Sequence, residues 1–216
     1  MSKKAVNITI LLIVLAMLAF SAWAYPRLPE QAPSHWNARG EVDDTMPRLW
    51  AVLLIPLMTL GIGYLLVYIP AIDPLGRNVE QFRRVYHLFI AGFCVYMAYI
   101  HVLTLLAGLG IAFNMTQMLL PAMGLLFIGI GSLLEHARPN WFIGIRTPWT
   151  LSSEAVWQET HRVGAWIFRA AGALSVLAAF LPPLISLWVI MVAVLGAAFG
   201  TVVYSYVVYR RVNPKG

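Results

Sequence analysis

The chain has 216 residues, of which 60% are hydrophobic and 11% are charged. Soluble domains average about 25% charged residues, so this composition excludes a water-soluble fold and indicates a membrane protein. The formal net charge of +6 does not indicate direct nucleic-acid binding, because the basic residues are scattered in small groups between apolar runs. The single cysteine excludes an intrachain disulfide.

Apolar runs long enough to cross a bilayer, which takes about 20 residues, recur six times along the chain. We therefore predict an all-α polytopic membrane protein, with residues 1–216 forming a single integral membrane domain of six transmembrane helices. Pro182-Pro183 separates the last two runs, since proline has no amide donor with which to continue a helix. The predicted spans are residues 5–25, 48–69, 86–108, 112–134, 164–182 and 184–209.

The first apolar run also has features of a secretory signal. Lys3 and Lys4 precede it, and Ala22-Trp23-Ala24 resembles an A-x-A cleavage site. The run is about 21 residues long, whereas the apolar region of a signal peptide has about 7 to 15. We therefore expect a retained membrane anchor.

The distribution of basic residues predicts the orientation of the chain. If the N-terminus lies in the cytoplasm, 12 of the 15 lysines and arginines fall on the cytoplasmic side, including Lys215 near the C-terminus. Only Arg27, Arg39 and Arg48 fall on the other side. By the positive-inside rule, both termini and residues 135–163 are cytoplasmic, and residues 26–47 are extracytoplasmic.

The extracytoplasmic loop, residues 26–47, contains a His-Trp-Asn motif. Its prolines favour extended or turn backbone, and residues 37–40 can form a further turn. A histidine and nearby aspartates are ligand types that suit zinc or manganese, but their spacing is not diagnostic, so we predict no metal and no cofactor. The candidate ligand-binding or partner-binding residues of this loop are His35, Trp36, Asn37, Gly40 and Asp43.

The cytoplasmic loop, residues 135–163, holds most of the remaining polar and aromatic residues. Ile143 and Ile145 alternate with other residues, which suggests a short extended piece, and Ser152 is a plausible N-cap for a helix that continues into the fifth span. One stripe of that helix is formed by Trp157, His161, Gly164 and Phe168, which are spaced by four, three and four residues. Three tryptophans are expected to form an interfacial aromatic cluster, either as a membrane-surface plug or as a partner-binding surface: Trp141, Trp149 and Trp157.

Enzyme motifs are absent from the sequence, which has no HExxH, GxSxG or Walker loop. Histidine and glutamate neighbours in the cytoplasmic loop leave an acid–base or metal site as an alternative, but we predict no enzyme. Within the spans, His101 is either hydrogen-bonded to a neighbouring helix or part of a proton relay. Gly196 and Gly200 form a GxxxG pattern, which we expect to pack inside the bundle.

Both loops also carry a family resemblance. The pattern Leu28-Pro29 followed by Pro33-x-His35-Trp36-Asn37-x-x-Gly40-x-x-Asp43 resembles the N-terminal domain of unknown function found in SdpI-like membrane proteins. The cytoplasmic loop resembles the SdpI family signature itself, in the run Asn140-Trp-Phe-Ile-Gly144-Ile-Arg146-Thr147-Pro148-Trp149-Thr-Leu-Ser152-Ser-Glu154-x-Val-Trp157-x-x-Thr160-His161-Arg162-x-Gly164.

The resemblance implies a multi-pass protein of the bacterial cytoplasmic membrane that gives immunity to a secreted antimicrobial peptide or toxin by binding it. It also implies possible signalling through recruitment of a cytoplasmic transcriptional repressor. The alternatives are a small membrane transporter or channel and, third, a membrane-bound metalloenzyme. The signature residues that the resemblance makes candidates for binding are Asn140, Gly144, Arg146, Thr147, Pro148, Trp149, Glu154, Trp157, Thr160, His161 and Arg162. We expect Arg146→Ala and His161→Ala to impair function without preventing membrane insertion.

Overall fold

The computed structural model describes residues 1–213, which form eight α-helices, one 3₁₀ turn (Tyr25–Arg27) and one β-hairpin. Lys215 lies outside the described residues. Six of the helices have more than 20 residues, and the other two are short connecting helices. The helices are α1 (Lys3–Ala24), α2 (Arg48–Ile72), α3 (Gly76–Gln81), α4 (Arg83–Gly108), α5 (Met115–His136), α6 (Pro148–Ser152), α7 (Glu154–Ala178) and α8 (Pro183–Val212). The strands are β1 (Gln31–Trp36) and β2 (Val42–Pro47).

Five helices within residues 1–213 are long and apolar enough to cross a membrane. These candidate spans are Lys3–Arg27, Arg48–Ile72, Arg83–Gly108, Met115–His136 and Pro183–Val212. The remaining long helix, α7, has 25 residues but carries Arg162 and Arg169 along its length, which are costly to place in hydrocarbon. A mostly helical membrane fold is therefore confirmed, whereas the sixth crossing and the cytoplasmic termini stay predictions.

The β-hairpin corrects the expectation of an all-α chain. β1 and β2 pair antiparallel, from Gln31 opposite Pro47 to Trp36 opposite Val42. A two-stranded ribbon alone is only marginally stable in water, so this one depends on packing against the helices. Leu28, just before β1, is buried in a small core with Ala24, Val52 and Leu105.

The long helices form two groups of three. α1, α2 and α4 pack together, α5, α7 and α8 pack together, and α4 packs against α5 where the groups meet. In the first group, Val6 and Ile10 of α1 are completely buried against α4 residues such as Ile90. α1 is thus an integral part of the core, while its retention as a membrane anchor stays a prediction.

Helices α5 and α7 approach so closely that side chains are excluded between them. A Cβ added at Gly124 would lie 2.5 Å from the carbonyl oxygen of Gly172, and a Cβ added at Gly172 would lie 2.5 Å from that of Gly124. Two turns further along the helices, a Cβ at Gly131 would lie 2.6 Å from the carbonyl oxygen of Ala165. Small residues permit this backbone-to-backbone packing, which membrane helices use in place of a hydrophobic driving force.

The prediction that Gly196 and Gly200 pack inside the bundle is wrong. Both glycines are exposed on α8, and a Cβ at either position would meet nothing within 4 Å among the described residues. The buried small residue of this stretch is Ala197, which lies on a different face of the helix. A GxxxG spacing shows that close approach is possible but does not identify the helix face that is used.

Candidate functional site

The two loops lie at opposite ends of the bundle. We call the end that carries the β-hairpin the hairpin end. We call the end that carries residues 137–153, with the start of α7, the signature end. Met1 also lies at the signature end, where its carbonyl oxygen is 2.9 Å from Nδ1 of His87, near the start of α4.

At the hairpin end, three of the candidate binding residues lie on the two strands. His35 Nδ1 and Asp43 Oδ1 are 2.6 Å apart, so the imidazole donates a hydrogen bond to the carboxylate. Both side chains are well exposed, and Trp36 is half-buried beside them. The hairpin therefore presents a polar pair that a ligand can reach, and a half-buried aromatic residue follows it on β1.

The other two candidates shape the turn. Asn37 Oδ1 accepts hydrogen bonds from the backbone N–H groups of Arg39 and Glu41 at 2.8 and 3.2 Å. Gly40 has a φ of +78°, which favours glycine, and it is buried against the side chain of Asn114. Asn114 Nδ2 donates to the Arg39 carbonyl at 2.6 Å. Asn37 and Gly40 thus fold the turn and dock it on the start of α5.

No group of three or more metal-ligand side chains occurs within residues 1–213. At the hairpin, His35 and Asp43 meet as a pair. Asp44 instead uses Oδ1 to accept a 2.7 Å hydrogen bond from the N–H of Thr45. The structure therefore brings together two of the three candidate ligand residues of this loop, His35 and Asp43.

At the signature end, Asn140 organises the connection between α5 and α6. Its side chain is completely buried, and Nδ2 donates to the carbonyl oxygens of Arg138 and Ile143 at 2.8 and 2.9 Å. Oδ1 accepts from the N–H groups of Phe142 and Ile143 at 2.9 and 2.6 Å. One amide group satisfies four backbone groups of an irregular segment, whose backbone makes no helix or strand hydrogen bonds of its own.

His161 joins this segment to α7. Its Nδ1 donates to the carbonyl oxygen of Trp157 at 2.8 Å, and its Nε2 accepts the N–H of Ile145 at 3.0 Å. The ring stacks on Trp157, with 4.0 Å between centroids. Gly144 has a φ of +117°, and a Cβ there would lie 2.3 Å from His161 Nε2. The glycine is therefore required both for backbone conformation and for space.

Trp157 fixes α7 to the end of α5. The side chain is completely buried, and its indole N–H donates to the carbonyl oxygen of Ala137 at 2.9 Å. Gly164, two turns further along α7, lies against Ile145, since a Cβ there would be 2.5 Å from Ile145 Cδ1. Trp157, His161 and Gly164 lie on the predicted stripe of α7. Through this stripe α7 holds the irregular segment between α5 and α6, which we call the signature segment.

Two threonines cap α6. The Thr147 hydroxyl accepts the N–H of Thr150 at 3.2 Å, and the Thr150 hydroxyl accepts the N–H of Thr147 at 2.9 Å. Pro148 occupies the first turn, where its missing N–H costs nothing. Thr147 also lies 3.0 Å from the Ser205 hydroxyl of α8, so the cap ties the signature segment to the last helix.

Three local predictions at this end need correction. The N-cap of α7 is Ser153, whose hydroxyl accepts the N–H of Val156, because Ser152 still belongs to α6. Residues 143–145 form no strand, because their hydrogen bonds go to Asn140, His161 and Thr150. The tryptophans form no common cluster: Trp157 is buried, Trp141 is exposed, and Trp149 packs against Tyr206 at 5.0 Å between centroids.

The remaining signature residues differ in exposure. Arg146 is exposed and donates to the Trp141 carbonyl oxygen. Glu154 is exposed in the first turn of α7, where it accepts from Gln158. Arg162 is exposed and pairs with Glu159 at 2.8 Å. Thr160 is completely buried, and its hydroxyl has no hydrogen-bond partner within residues 1–213.

Two polar residues outside the signature segment also hold it, and the sequence did not predict them. One follows α2 and the other lies on α3. Asp73, after α2, uses Oδ2 to accept the N–H of Trp141 at 3.0 Å. Asn78 of α3 donates to the carbonyl oxygen of Pro139 at 2.7 Å. An aspartate directly after an apolar span was the only available signal, and nothing in the sequence connects it to a segment 68 residues away.

His101 is hydrogen-bonded to a neighbouring helix. It is completely buried, with Nε2 2.8 Å from the Ser21 hydroxyl of α1. Ser21 in turn donates to the Val52 carbonyl oxygen at 2.8 Å. Within the described residues this chain of contacts ends at α2, which matches the packing interpretation better than a relay.

We expect the stability of the signature end to fall as the pH is lowered. Burial lowers the pKa of His161, which precedes the predicted span 164–182, to about 4. The unfolded chain has a histidine pKa of about 6.5, so between these values it binds a proton that the folded chain does not. The folded state therefore loses on the order of 3 kcal/mol as the pH falls from about 6.5 to 4.

Thermal unfolding of the purified protein in detergent at several pH values measures this effect. His161→Gln should flatten the pH dependence, because the titrating group is gone while an amide still offers an acceptor. An equal pH dependence in the wild type and in the variant would contradict the assignment.

Comparisons with known proteins agree with the two sequence resemblances. Residues 136–205 match the SdpI/YfhL protein family, and residues 12–60 match the Domain of unknown function (DUF1648). The chain is also similar to Immunity protein SdpI of Bacillus subtilis (strain 168), with 29% identity over 210 residues, which cover 96% of this chain and 97% of the relative. No solved structure matches. With its apolar helices and these matches, the chain is a multi-pass membrane protein that is similar to the SdpI family.

Proposed function

We propose that the protein gives its cell immunity to a secreted antimicrobial peptide or toxin, and that it does so by binding rather than by catalysis. The similarity to an immunity protein along almost the whole chain carries this proposal. Similarity to the SdpI family supports an immunity-type membrane protein, while the ligand and the binding step are our inference. A small transporter or channel is the second candidate, and a membrane-bound metalloenzyme is the third.

We assign the first contact with the ligand to the hairpin end. Trp36 is half-buried, Val42 opposite it is 46% exposed, and Trp50 in the first turn of α2 is 54% exposed. An amphipathic peptide that arrives from outside the cell would meet these apolar groups before it reaches lipid. Exposed ion pairs contribute only about 0 to 1 kcal/mol, so binding would depend on apolar burial against Trp36 and the adjoining helix end.

Protection of a sensitive bacterium tests this assignment. A Trp36→Ala, His35→Ala double variant should lose most protection against the secreted peptide at matched membrane abundance, and Asp44→Asn should lose little. Trp23→Ala is the matched control, since Trp23 is an exposed tryptophan near the same end but belongs to α1. Full protection by the double variant would remove the hairpin from the binding step.

The signature end supports a second proposal, recruitment of a cytoplasmic partner such as a transcriptional repressor. Arg146 is exposed and lies beside Trp141 and Phe142, which are 51% and 39% exposed. Arginine and aromatic side chains are enriched in protein interfaces. The buried signature residues would position this surface without contacting the partner.

Substitution of Arg146 separates binding from folding. Arg146→Ala should leave membrane abundance unchanged and reduce partner recruitment at least tenfold in a membrane-tethering assay. Arg84→Ala, which removes another exposed arginine at the same end, serves as the control. Loss of Arg146→Ala from the membrane fraction would instead assign a structural role to the residue.

Purified protein distinguishes the alternative functions. A transporter or channel should produce substrate flux after reconstitution into liposomes. An enzyme that needs a metal should lose activity with a chelator. An immunity protein that acts by binding should protect cells without turnover.

Both assignments require a defined topology, with residues 26–47 outside and residues 135–163 in the cytoplasm. We expect a reporter fused near Trp149 to be active only as a cytoplasmic reporter, and one fused within the hairpin to be active only outside. A fusion after residue 181 tests whether α7 crosses, because five crossings would place that turn on the cytoplasmic side. A mature N-terminus at Tyr25, found by mass spectrometry, would contradict the retained first span.

A further inference from the structure

An apolar groove runs along α4 and α5, where the two helix groups meet. Its volume is about 790 Å³, which lies within the range of specific ligand pockets. Leu88, Val95 and Leu125 line it and are more than half exposed, so the groove opens toward the surroundings of the bundle. Gly92 and Gly129 contribute no side chains to its walls, and a Cβ at Gly92 would meet nothing within 4 Å.

A second, more polar pocket of about 590 Å³ lies at the signature end. It is formed by the residues just before α4, the end of α5 and the beginning of α7. His136 lines both cavities, so the groove and the pocket are neighbours at the end of α5. The polar groups that line the pocket besides His136 are Gln81, Glu135, Arg138, Gln158, His161 and Arg162.

The charges around the pocket leave one guanidinium uncompensated. Glu135 is paired with Arg169, and Arg162 is paired with Glu159. Arg138 is exposed and has no carboxylate partner within residues 1–213. The pocket therefore offers a free planar donor group that can bind a phosphate through two hydrogen bonds.

We propose that the groove and the pocket together bind one anionic phospholipid. An acyl chain lies in the groove between α4 and α5, and the phosphate binds Arg138 in the pocket. The order along the helices, hydrocarbon first and then a cationic group at the end, matches the order of parts in a phospholipid. Basic pockets between membrane helices bind anionic headgroups in this way.

An anionic headgroup fits this pocket better than a zwitterionic one. A zwitterionic lipid brings its own cation close to Arg138 and Arg162, whereas phosphatidylglycerol brings only the phosphate and hydroxyl groups. The amides of Gln81 and Gln158 can donate to those hydroxyl groups. This inference does not depend on the proposed immunity function, because it concerns a site remote from the hairpin.

Lipid retention by the purified full-length protein tests the proposal. Detergent-solubilised protein is mixed with phosphatidylglycerol, with phosphatidylcholine of the same chains, or with inorganic phosphate alone. Native mass spectrometry counts bound lipids, and thermal unfolding reports stabilisation. We expect phosphatidylglycerol to be retained at least tenfold better than phosphatidylcholine and to raise Tm, and we expect phosphate alone to have no effect.

Two pairs of variants locate the site. Arg138→Gln removes the phosphate donor, and Gly92→Leu fills the groove from a position where a side chain meets no protein atom. Both should reduce phosphatidylglycerol retention several-fold. Arg84→Gln, an exposed arginine at the same end, and Gly61→Leu, an exposed glycine of α2 with open space around it, should retain the lipid.

Three results would overturn the proposal. Equal retention of the two lipids would show that the groove holds hydrocarbon without headgroup selection. Equal loss in the control variants would show a general effect of surface charge or helix bulk. Stabilisation by phosphate alone, equal to that by phosphatidylglycerol, would indicate an ion site in place of a lipid site.

Discussion

Valine at Gly124 or Gly172 should prevent α5 and α7 from packing and should remove most of the folded protein from the membrane fraction. At both positions the new Cβ would lie 2.5 Å from a backbone carbonyl oxygen, and backbone cannot rotate away as a side chain can. The two helices would have to separate, which would also break the neighbouring contact at Gly131. We expect a loss of stability above about 3 kcal/mol, at the upper end for overpacked sites.

Gly196→Val and Gly200→Val are the matched controls, because a Cβ at either position meets nothing within 4 Å. The same added volume at these exposed sites of α8 should leave abundance and Tm nearly unchanged. Membrane abundance and thermal unfolding in detergent measure both pairs. If the Gly196 and Gly200 variants lost as much protein as the other two, the α5–α7 contact would not be the critical one.

Asn140→Ala should destabilise the protein by roughly 4 kcal/mol, because several buried backbone groups would lose their only side-chain partner. The four hydrogen bonds of Asn140 hold the segment between α5 and α6, and this segment carries the exposed Arg146. The variant should therefore lose partner recruitment together with stability. Thermal unfolding and hydrogen exchange of residues 138–147 measure the two effects.

Asn7→Ala provides the control for Asn140. The side-chain oxygen of Asn7 is also buried but has no hydrogen-bond partner within the described residues, so its removal should be nearly neutral or stabilising. If Asn7→Ala and Asn140→Ala had equal effects, the network around Asn140 would contribute little.

The long helices could be predicted because each is specified by its own apolar run. The predicted second span, residues 48–69, corresponds to Arg48–Ile72, and the predicted break at Pro182-Pro183 lies where α8 begins, with Pro182 as its N-cap and Pro183 as its first residue. The turn at residues 37–40 was also predicted, since asparagine and glycine favour turns. The two strands β1 and β2 were not predicted, because they are short and polar. They depend on docking against Asn114 and against the core around Leu28.

The packing of the signature end could not be predicted in the same way. The resemblance identified Asn140, Gly144 and His161 as important, but their hydrogen bonds involve irregular backbone, which has no periodicity in sequence. The close contact of α5 and α7 was missed because its small residues are spaced by seven on each helix, at Gly124 and Gly131 and at Ala165 and Gly172. The more familiar spacing of Gly196 and Gly200 drew the prediction to the wrong helix.

The polar character of α7 has a consequence for the order of assembly during synthesis. As the fifth crossing of the proposed topology, α7 would place Arg169 near the cytoplasmic boundary of the bilayer, where its guanidinium still has to be kept out of hydrocarbon. Glu135 of α5 pairs with that arginine, and Gly124 and Gly131 of α5 provide the surface on which α7 packs. We therefore expect α5 to enter the membrane first and to receive α7, so that it acts as an intramolecular chaperone for the helix that follows it.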